Sequence, residues 1–248
     1  MRIRVVSPVT MRRAPGVSIR SEDKKRGVVV ENVTVQKGPA TIESEFDEAL
    51  AVPDTIAKVC DAERDGCDAA VVNCFADPGV KAAREAVSIP VLGPGESAMH
   101  LATILGDSFS IVTVLDTVVP TIRNHARLYG VADRLTSVRS VNIPVLDLHQ
   151  DEVRLRAALV EESVRAVEED GAHVIVLGCT GMTGLAKDVQ EGLVSRGIRD
   201  VPVLDPLESA IKLAEALVSL EVAHSKRTYP YPPVKEIIGY DDVRVERG

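Results

Sequence analysis

Two cysteines at equivalent positions of an internal repeat are the side chains of this sequence best suited to chemistry. The segment DGCDAAVVNCFADPGVKAA, at 65–83, aligns without a gap with DGAHVIVLGCTGMTGLAKD, at 170–188. The alignment pairs Cys74 with Cys179, an offset of 105 residues. A thiolate can act as a base or a nucleophile, and the corresponding thiol can donate a proton. The repeat therefore predicts two thiols contributed by two related halves of the chain.

The repeat continues on both sides of the cysteines. IPVLGPGESAMHLA, at 89–102, matches VPVLDPLESAIKLA, at 201–214, and RVVSPVTM, at 4–11, is echoed by SIVTVLDT, at 110–117. A period above 100 residues is too long for a solenoid and indicates a duplicated domain. We expect residues 1–98 together with 207–248 to form a first lobe, and residues 99–206 to form a second.

Short β-branched runs alternate with longer amphipathic or alanine-rich runs along the chain. This alternation is typical of parallel strands joined by crossover helices, so it predicts an α/β fold in which each lobe is a mainly parallel sheet flanked by helices. The predicted strands are 2–6, 28–35, 69–73, 89–92, 109–113, 135–141, 173–177 and 201–204. The predicted helices are 45–63, 78–87, 95–105, 118–129, 152–169, 185–195 and 207–220.

Both cysteines fall at the carboxyl end of a predicted strand, which is where open parallel sheets bind ligands. Pseudosymmetric packing would make the two thiols face each other across a cleft between the lobes. A helix start follows each cysteine, with Asp77 predicted as the N-cap and Pro78 as the first helical residue of the earlier one. Amides at these helix starts can hold an anion, and the positive end of the helix is expected to lower the thiol pKa.

The remaining cysteines and the histidines carry weaker signals. Cys60 and Cys67 have no cysteine counterpart in the second half, so we interpret them as structural. Helix, loop and strand end would point Cys60, Cys67 and Cys74 apart, which disfavours a metal cluster. The five histidines are scattered, without an HExxH motif or a serine elbow. The sequence therefore predicts no metal site.

Composition narrows the class of partner. The 248 residues carry a formal net charge of −8, with three Phe, four Tyr and no Trp, so nucleic-acid binding is disfavoured by charge and by the lack of stacking faces. No apolar run reaches the roughly 18 to 20 residues of a membrane span, and the N-terminus lacks the features of a signal peptide. We expect a cytoplasmic protein that has no membrane partner and acts on a small-molecule substrate.

Three motifs carry a resemblance to a known family. They are NCFADPG at 73–79, GCTGM at 178–182 and GPATIES at 38–44. With them, nearly the whole chain resembles the aspartate/glutamate/hydantoin racemase superfamily, and most closely its hydantoin and allantoin racemase branch. Amino-acid racemases of the superfamily usually carry CNTAH-like and GCTE-like motifs instead.

The resemblance implies an isomerase that racemises a carbon next to a carbonyl without metal or organic cofactor. One cysteine thiolate removes the proton and the opposite thiol delivers another, so Cys74 and Cys179 would be the catalytic pair. A homo-oligomer is also expected. The residues expected to contact or shape the substrate site, directly or through backbone amides, are Pro8, Ser44, Phe75, Ala76, Thr113, Thr180 and Gly181.

Other functions stay open at this point. An amino-acid racemase or a maleate-type cis-trans isomerase would also use paired cysteines, whereas the related arylmalonate decarboxylases use one. A noncatalytic sensor of small anions would need the loop amides but would have no reason to keep both thiols. The two cysteines therefore favour an enzyme.

Overall fold

The structure is a computed structural model that describes residues 1–10, 27–233 and 235–240. The chain divides into two compact units, which we describe separately. Unit 1 comprises Met1–Ile42, Phe46–Gly93 and Ala210–Gly248, and unit 2 comprises Glu43–Glu45 and Pro94–Ser209.

Unit 1 is built on a four-stranded parallel sheet. Its strands are β1 (Arg2–Ser7), β2 (Val29–Thr34), β3 (Ala69–Val72) and β4 (Val91–Leu92), in the order β2-β1-β3-β4. Every residue of β3 is buried, as expected for a central parallel strand that is covered on both faces. Helices α1 (Glu45–Arg64) and α2 (Val80–Ala86) contribute to a core that contains Val6, Val59, Val72 and Ala83.

Unit 2 repeats this sheet order. Its strands are β5 (Phe109–Thr113), β6 (Leu135–Ser140), β7 (Ile175–Leu177) and β8 (Val203–Leu204), all parallel and in the order β6-β5-β7-β8. Its helices are α3 (Pro94–Leu105), α4 (Val119–Leu128), α5 (Glu152–Glu168) and α6 (Ala186–Ser195). Helices α5 and α6 contribute to a core with Leu159, Leu177 and Leu193. A last helix, α7, spans Pro206–Ser219, and its residues from Ala210 onward belong to unit 1.

The predicted α/β class with two related parallel sheets is confirmed, and the edge strands β4 and β8 are shorter than predicted. Both predicted segments contain a proline at the second position, Pro90 or Pro202, whose carbonyl accepts a hydrogen bond from the neighbouring strand. Proline has no N–H to donate, so regular pairing begins only after it. The same position therefore delays both repeat-related strands.

Candidate active site

The sheet carries each cysteine just past the end of a buried central strand. In unit 1 the Asn73 N–H donates to the Val6 carbonyl at 2.7 Å, and in unit 2 the Gly178 N–H donates to the Val112 carbonyl at 2.7 Å. These bonds extend the pairing of β1 with β3, and of β5 with β7, by one residue. The next residue is the cysteine in both units.

The turn after the cysteine is also the same in both units. The Asp77 N–H donates to the Cys74 carbonyl at 3.0 Å, and the Met182 N–H donates to the Cys179 carbonyl at 3.1 Å. A second pair of equivalent bonds runs from Val80 N–H to Asp77 O (3.2 Å) and from Leu185 N–H to Met182 O (3.0 Å). The sequence repeat is thus a structural repeat at the level of individual backbone hydrogen bonds.

The predicted helix start after Cys74 is wrong. Helix α2 begins at Val80, its N-cap is Gly79, and Pro78 lies in the turn before it. Asp77 (φ 53°) and Gly79 (φ 74°) both adopt left-handed backbone conformations, which interrupt a right-handed helix. In unit 2 a single 3-10 turn over Thr180–Met182 follows the cysteine, and α6 begins only at Ala186.

The thiol of Cys179 is held in its neutral form. Burial raises its pKa to about 11, and the nearby negative charge of Glu43 acts in the same direction. The Gly181 N–H donates to Sγ at 3.3 Å and opposes this shift without overcoming it. The predicted lowering of the pKa is therefore wrong for Cys179, because a short turn supplies too few aligned N–H groups to offset the loss of hydration.

Sequence reasoning about the GPATIES motif singled out Ser44 and missed Glu43. The Glu43 carboxylate accepts a hydrogen bond from the Val145 N–H at 2.7 Å, and both residues belong to unit 2. Leu148, three residues further on, lies against the turn that follows Cys179, since a Cβ added at Gly181 would be 2.9 Å from Leu148 Cδ1. Glu43 thus anchors the segment that packs on the Cys179 turn.

The other site residues predicted in the first half of the chain differ in exposure. Pro8 and Phe75 are buried, Ala76 is half-buried, and Ser44 is exposed immediately before α1. Within residues 1–10, 27–233 and 235–240, the amides of Phe75 and Ala76 donate no hydrogen bond.

Thr113 and Gly178 explain how the second strand end is packed. Thr113 is fully buried, and its Oγ1 donates to the Gly178 carbonyl at 3.1 Å. A Cβ on Gly178 would lie 2.7 Å from Ile111 Cγ2 and 2.8 Å from Thr113 Cβ, so only glycine fits before Cys179. Of the other two predicted residues, Thr180 is buried and Gly181 is half-buried.

Cys60 and Cys67 are both buried, whereas Cys74 and Cys179 are partly exposed. Burial raises the pKa of Cys60 to about 11 and also raises the pKa of Cys67.

In the part of the chain that the structure describes, no group of three or more His, Cys, Asp or Glu side chains is arranged to hold a metal ion. No helix in those ranges is both long and apolar enough to cross a membrane.

Comparisons with known proteins identify the family of the chain. Residues 17–214 match the family model described as Asp/Glu/Hydantoin racemase. The chain is 37% identical over 242 residues to a hydantoin racemase of Pseudomonas sp. (strain NS671), covering 96% of this chain and 95% of that protein. It is 40% identical over 203 residues to a hydantoin racemase of Rhizobium meliloti, covering 82% of each chain.

A solved structure is similar over the same length. The allantoin racemase from Klebsiella pneumoniae superimposes with a TM-score of 0.87 at 34% identity, covering 96% of both chains. The sequence matches and this superposition extend over both repeated halves, including the two cysteine turns. The chain therefore belongs to the Asp/Glu/hydantoin racemase family and is an isomerase of the racemase class.

Proposed function

We propose that this protein racemises 5-substituted hydantoins, among them allantoin, by acid/base transfer between Cys74 and Cys179. The observation that carries the proposal is the placement of one partly exposed cysteine at the same strand-end position of each repeated sheet. The similarity to hydantoin racemases and to an allantoin racemase supports this substrate class.

The reaction needs a base on one face of the carbon and an acid on the other. The base thiolate takes the proton from the ring carbon next to the carbonyl, and the C–H electron pair moves onto the carbonyl oxygen as an enolate. The opposite thiol then gives its proton to the other face of the carbon and is left as a thiolate. The raised pKa of the Cys179 thiol suits the donor role in the direction of reaction in which Cys74 acts as the base.

The enolate oxygen needs hydrogen-bond donors while it carries negative charge. The amides of Phe75 and Ala76 are the best candidates, since they make no hydrogen bond in the described ranges. Their repeat counterparts are Thr180 and Gly181, and the Gly181 N–H donates to Sγ of Cys179. Preorganised donors of this kind are worth about 3 kcal/mol or more each to a developing oxyanion.

The other predicted substrate contacts differ in how the fold connects them to the two cysteines. Thr180 continues directly from Cys179, and Thr113 supports the strand end before it through Gly178. Pro8 follows β1, the strand paired with β3, and Ser44 precedes α1. We propose that Pro8, Ser44 and Thr180 border the ring, and that the buried Thr113 holds the Cys179 turn in place through Gly178.

The test replaces each cysteine by serine and follows both racemisation and proton exchange. Racemisation of a pure hydantoin enantiomer should collapse in Cys74→Ser and in Cys179→Ser alike. Each variant should still exchange the ring-carbon proton of one enantiomer in deuterated water, because the remaining thiol can remove and return a proton on its own face. The two variants should select opposite enantiomers, as read by NMR after subtraction of the nonenzymatic exchange.

Cys67→Ala is the matched control, because Cys67 is buried and lies outside the proposed site. This variant should keep racemisation near the wild-type rate. Exchange of the same enantiomer by both serine variants, or wild-type racemisation by either, would show that the two thiols do not act as a pair. Turnover of amino acids or maleate in place of hydantoins would reassign the substrate while leaving the roles of the cysteines to the exchange experiment.

A further inference from the structure

A buried aspartate in unit 2 ties the turn after Cys179 to the start of α7. Asp205 is 5% exposed and directly precedes α7. Its carboxylate accepts hydrogen bonds from the amides of Gly184 (2.7 Å), Leu207 (3.0 Å) and Glu208 (3.2 Å). Burial raises the pKa of this carboxyl, and the three N–H donors act against that rise. The contact with Gly184 fastens the chain five residues after Cys179.

The repeat places a glycine where unit 1 would have the equivalent aspartate. The alignment of 89–102 with 201–214 pairs Gly93 with Asp205. Gly93 does not adopt a left-handed φ, so its backbone conformation does not demand glycine. A Cβ added there would lie 2.3 Å from Cγ of Asp77 and 2.4 Å from its Oδ1. Glycine is needed at position 93 because the carboxyl group of Asp77 already fills the space.

Asp77 belongs to the turn after Cys74, whereas Asp205 lies directly before a helix. The repeat counterpart of Asp77 is Met182, which is fully buried and apolar. Asp77 is 8% exposed and, like Met182, donates its backbone N–H to the carbonyl of the cysteine. Each cysteine turn is thus accompanied by one buried carboxyl, which the turn itself contributes in unit 1 and the residue before α7 contributes in unit 2.

We propose that Asp77, with Gly93 as its receptor, is the positioning residue of the Cys74 turn, in the role that Asp205 has for the Cys179 turn. The inference rests on the proposed function of Cys74. The alternative explanation is local turn chemistry, since Asp tolerates the left-handed conformation observed at position 77. Asparagine tolerates that conformation equally well, so Asp77→Asn separates a need for the carboxylate from a need for the turn.

The first test measures catalysis and thiol access in Asp77→Asn. A loosened turn misplaces the thiol, so kcat for racemisation should fall about 100-fold while KM changes much less. Iodoacetamide should alkylate Cys74 about tenfold faster than in the wild type, because local opening exposes the thiol, while Cys179 is unaffected. Asp205→Asn is the matched control and should show the reverse selectivity. Wild-type kcat and alkylation in Asp77→Asn would overturn the proposal.

The second test moves the carboxylate to the position that unit 2 uses. Asp77→Ala with Gly93→Asp should recover at least tenfold of the kcat lost in Asp77→Ala and restore slow alkylation of Cys74. No recovery in a variant that melts cooperatively would overturn the proposal.

Thermal unfolding provides a double-mutant cycle that requires neither the rescue of kcat nor any substrate. Gly93→Ala should lower the Tm in the wild type, where the added methyl meets Asp77, and should change it far less in the Asp77→Ala background. Equal effects in both backgrounds would contradict the pairing. Alkylation and melting also separate this inference from the proposed function, because neither measurement uses a hydantoin.

Discussion

At the scale of single residues, the protonation of Cys179 is governed by burial. The pKa of about 11 means that the thiol is neutral near pH 7 and gains thiolate as the pH approaches 11. A site that lowers the pKa of its cysteine would hold a thiolate at rest, whereas this one holds a proton donor. The distinction is measurable, because only the thiolate reacts with alkylating agents.

We therefore expect the alkylation rate of Cys179 by iodoacetamide to rise about tenfold per pH unit between about pH 7 and 10. Cys60 and Cys67 should stay unlabelled in the folded protein because both side chains are buried. Peptide mapping of samples quenched at each pH measures all four thiols together. A rate for Cys179 that is flat above pH 7, or labelling of only Cys60 and Cys67, would contradict this assignment.

At the scale of elements, the segment after α7 supports the short helix α2. Lys226 Nζ donates to the Arg84 carbonyl at 2.8 Å and to the Val87 carbonyl at 2.6 Å, at the carboxyl end of that helix. A helix of seven residues is too short to be stable alone, and a cation at its carboxyl end complements its dipole. Lys226 therefore caps the carboxyl end of α2.

Lys226→Met should lower the free energy of unfolding by about 1 kcal/mol, because the unsatisfied carbonyls of α2 lose their donor. Urea unfolding monitored by circular dichroism measures this value. Lys187→Met is the control, since Lys187 is exposed and its ion pair with Glu191 spans 3.8 Å. Equal losses in the two variants would show that the hydrogen bonds from Lys226 to α2 stabilise the protein no more than an exposed ion pair does.

The cluster around Arg139 on β6 gives unit 2 a pH-dependent contact. Hydrogen bonds from Arg139 lower the pKa of Asp170, with Nε to Oδ2 at 2.5 Å and Nη2 to Oδ1 at 2.9 Å. A carboxyl whose folded pKa is lowered contributes stability above its unfolded pKa of about 3.9 and loses it as the pH falls through the folded value. Protonation of Asp170 therefore contributes to the fall in the free energy of unfolding at acidic pH.

Asp170→Asn should reduce the free energy of unfolding at pH 7 and flatten its decline below about pH 4, because the titrating partner is gone. Chemical unfolding at a series of pH values gives both curves. Asp200→Asn, at an exposed position, is the control and should follow the wild type throughout. An acid limb as steep in Asp170→Asn as in the wild type would mean that other carboxyls govern acid unfolding.

At the scale of the whole molecule, two sheets with the same strand order each present one cysteine after the same strand. If both thiols serve one substrate molecule, as we propose, a hydantoin should protect both from alkylation with the same concentration dependence. Competition labelling of Cys74 and Cys179 at increasing substrate measures two half-protection concentrations. Values that differ by more than about tenfold, or protection of one thiol alone, would argue against a shared substrate.

The sequence by itself determined the α/β class, the order of the elements and the equivalence of the two cysteines. These follow from local composition and from repetition: β-branched runs such as the one in β3 form strands wherever the chain places them, and a duplicated segment repeats its hydrogen bonds. The repeat also explains why the two departures from the predicted strands are paired, since Pro90 and Pro202 shorten β4 and β8 alike.

Tertiary structure decided the features that depend on how atoms pack rather than on the order of residue types along the chain. The predicted cap at Asp77 was wrong because the space beside Gly93 receives its carboxyl group and the helix starts three residues later. The predicted pKa of Cys179 was wrong because desolvation outweighs the backbone amide donors of Gly181 and Met182. Burial and long-range packing are sums over atoms distant in sequence, so the linear pattern could locate the thiols but could not determine their ionisation or which residues hold them.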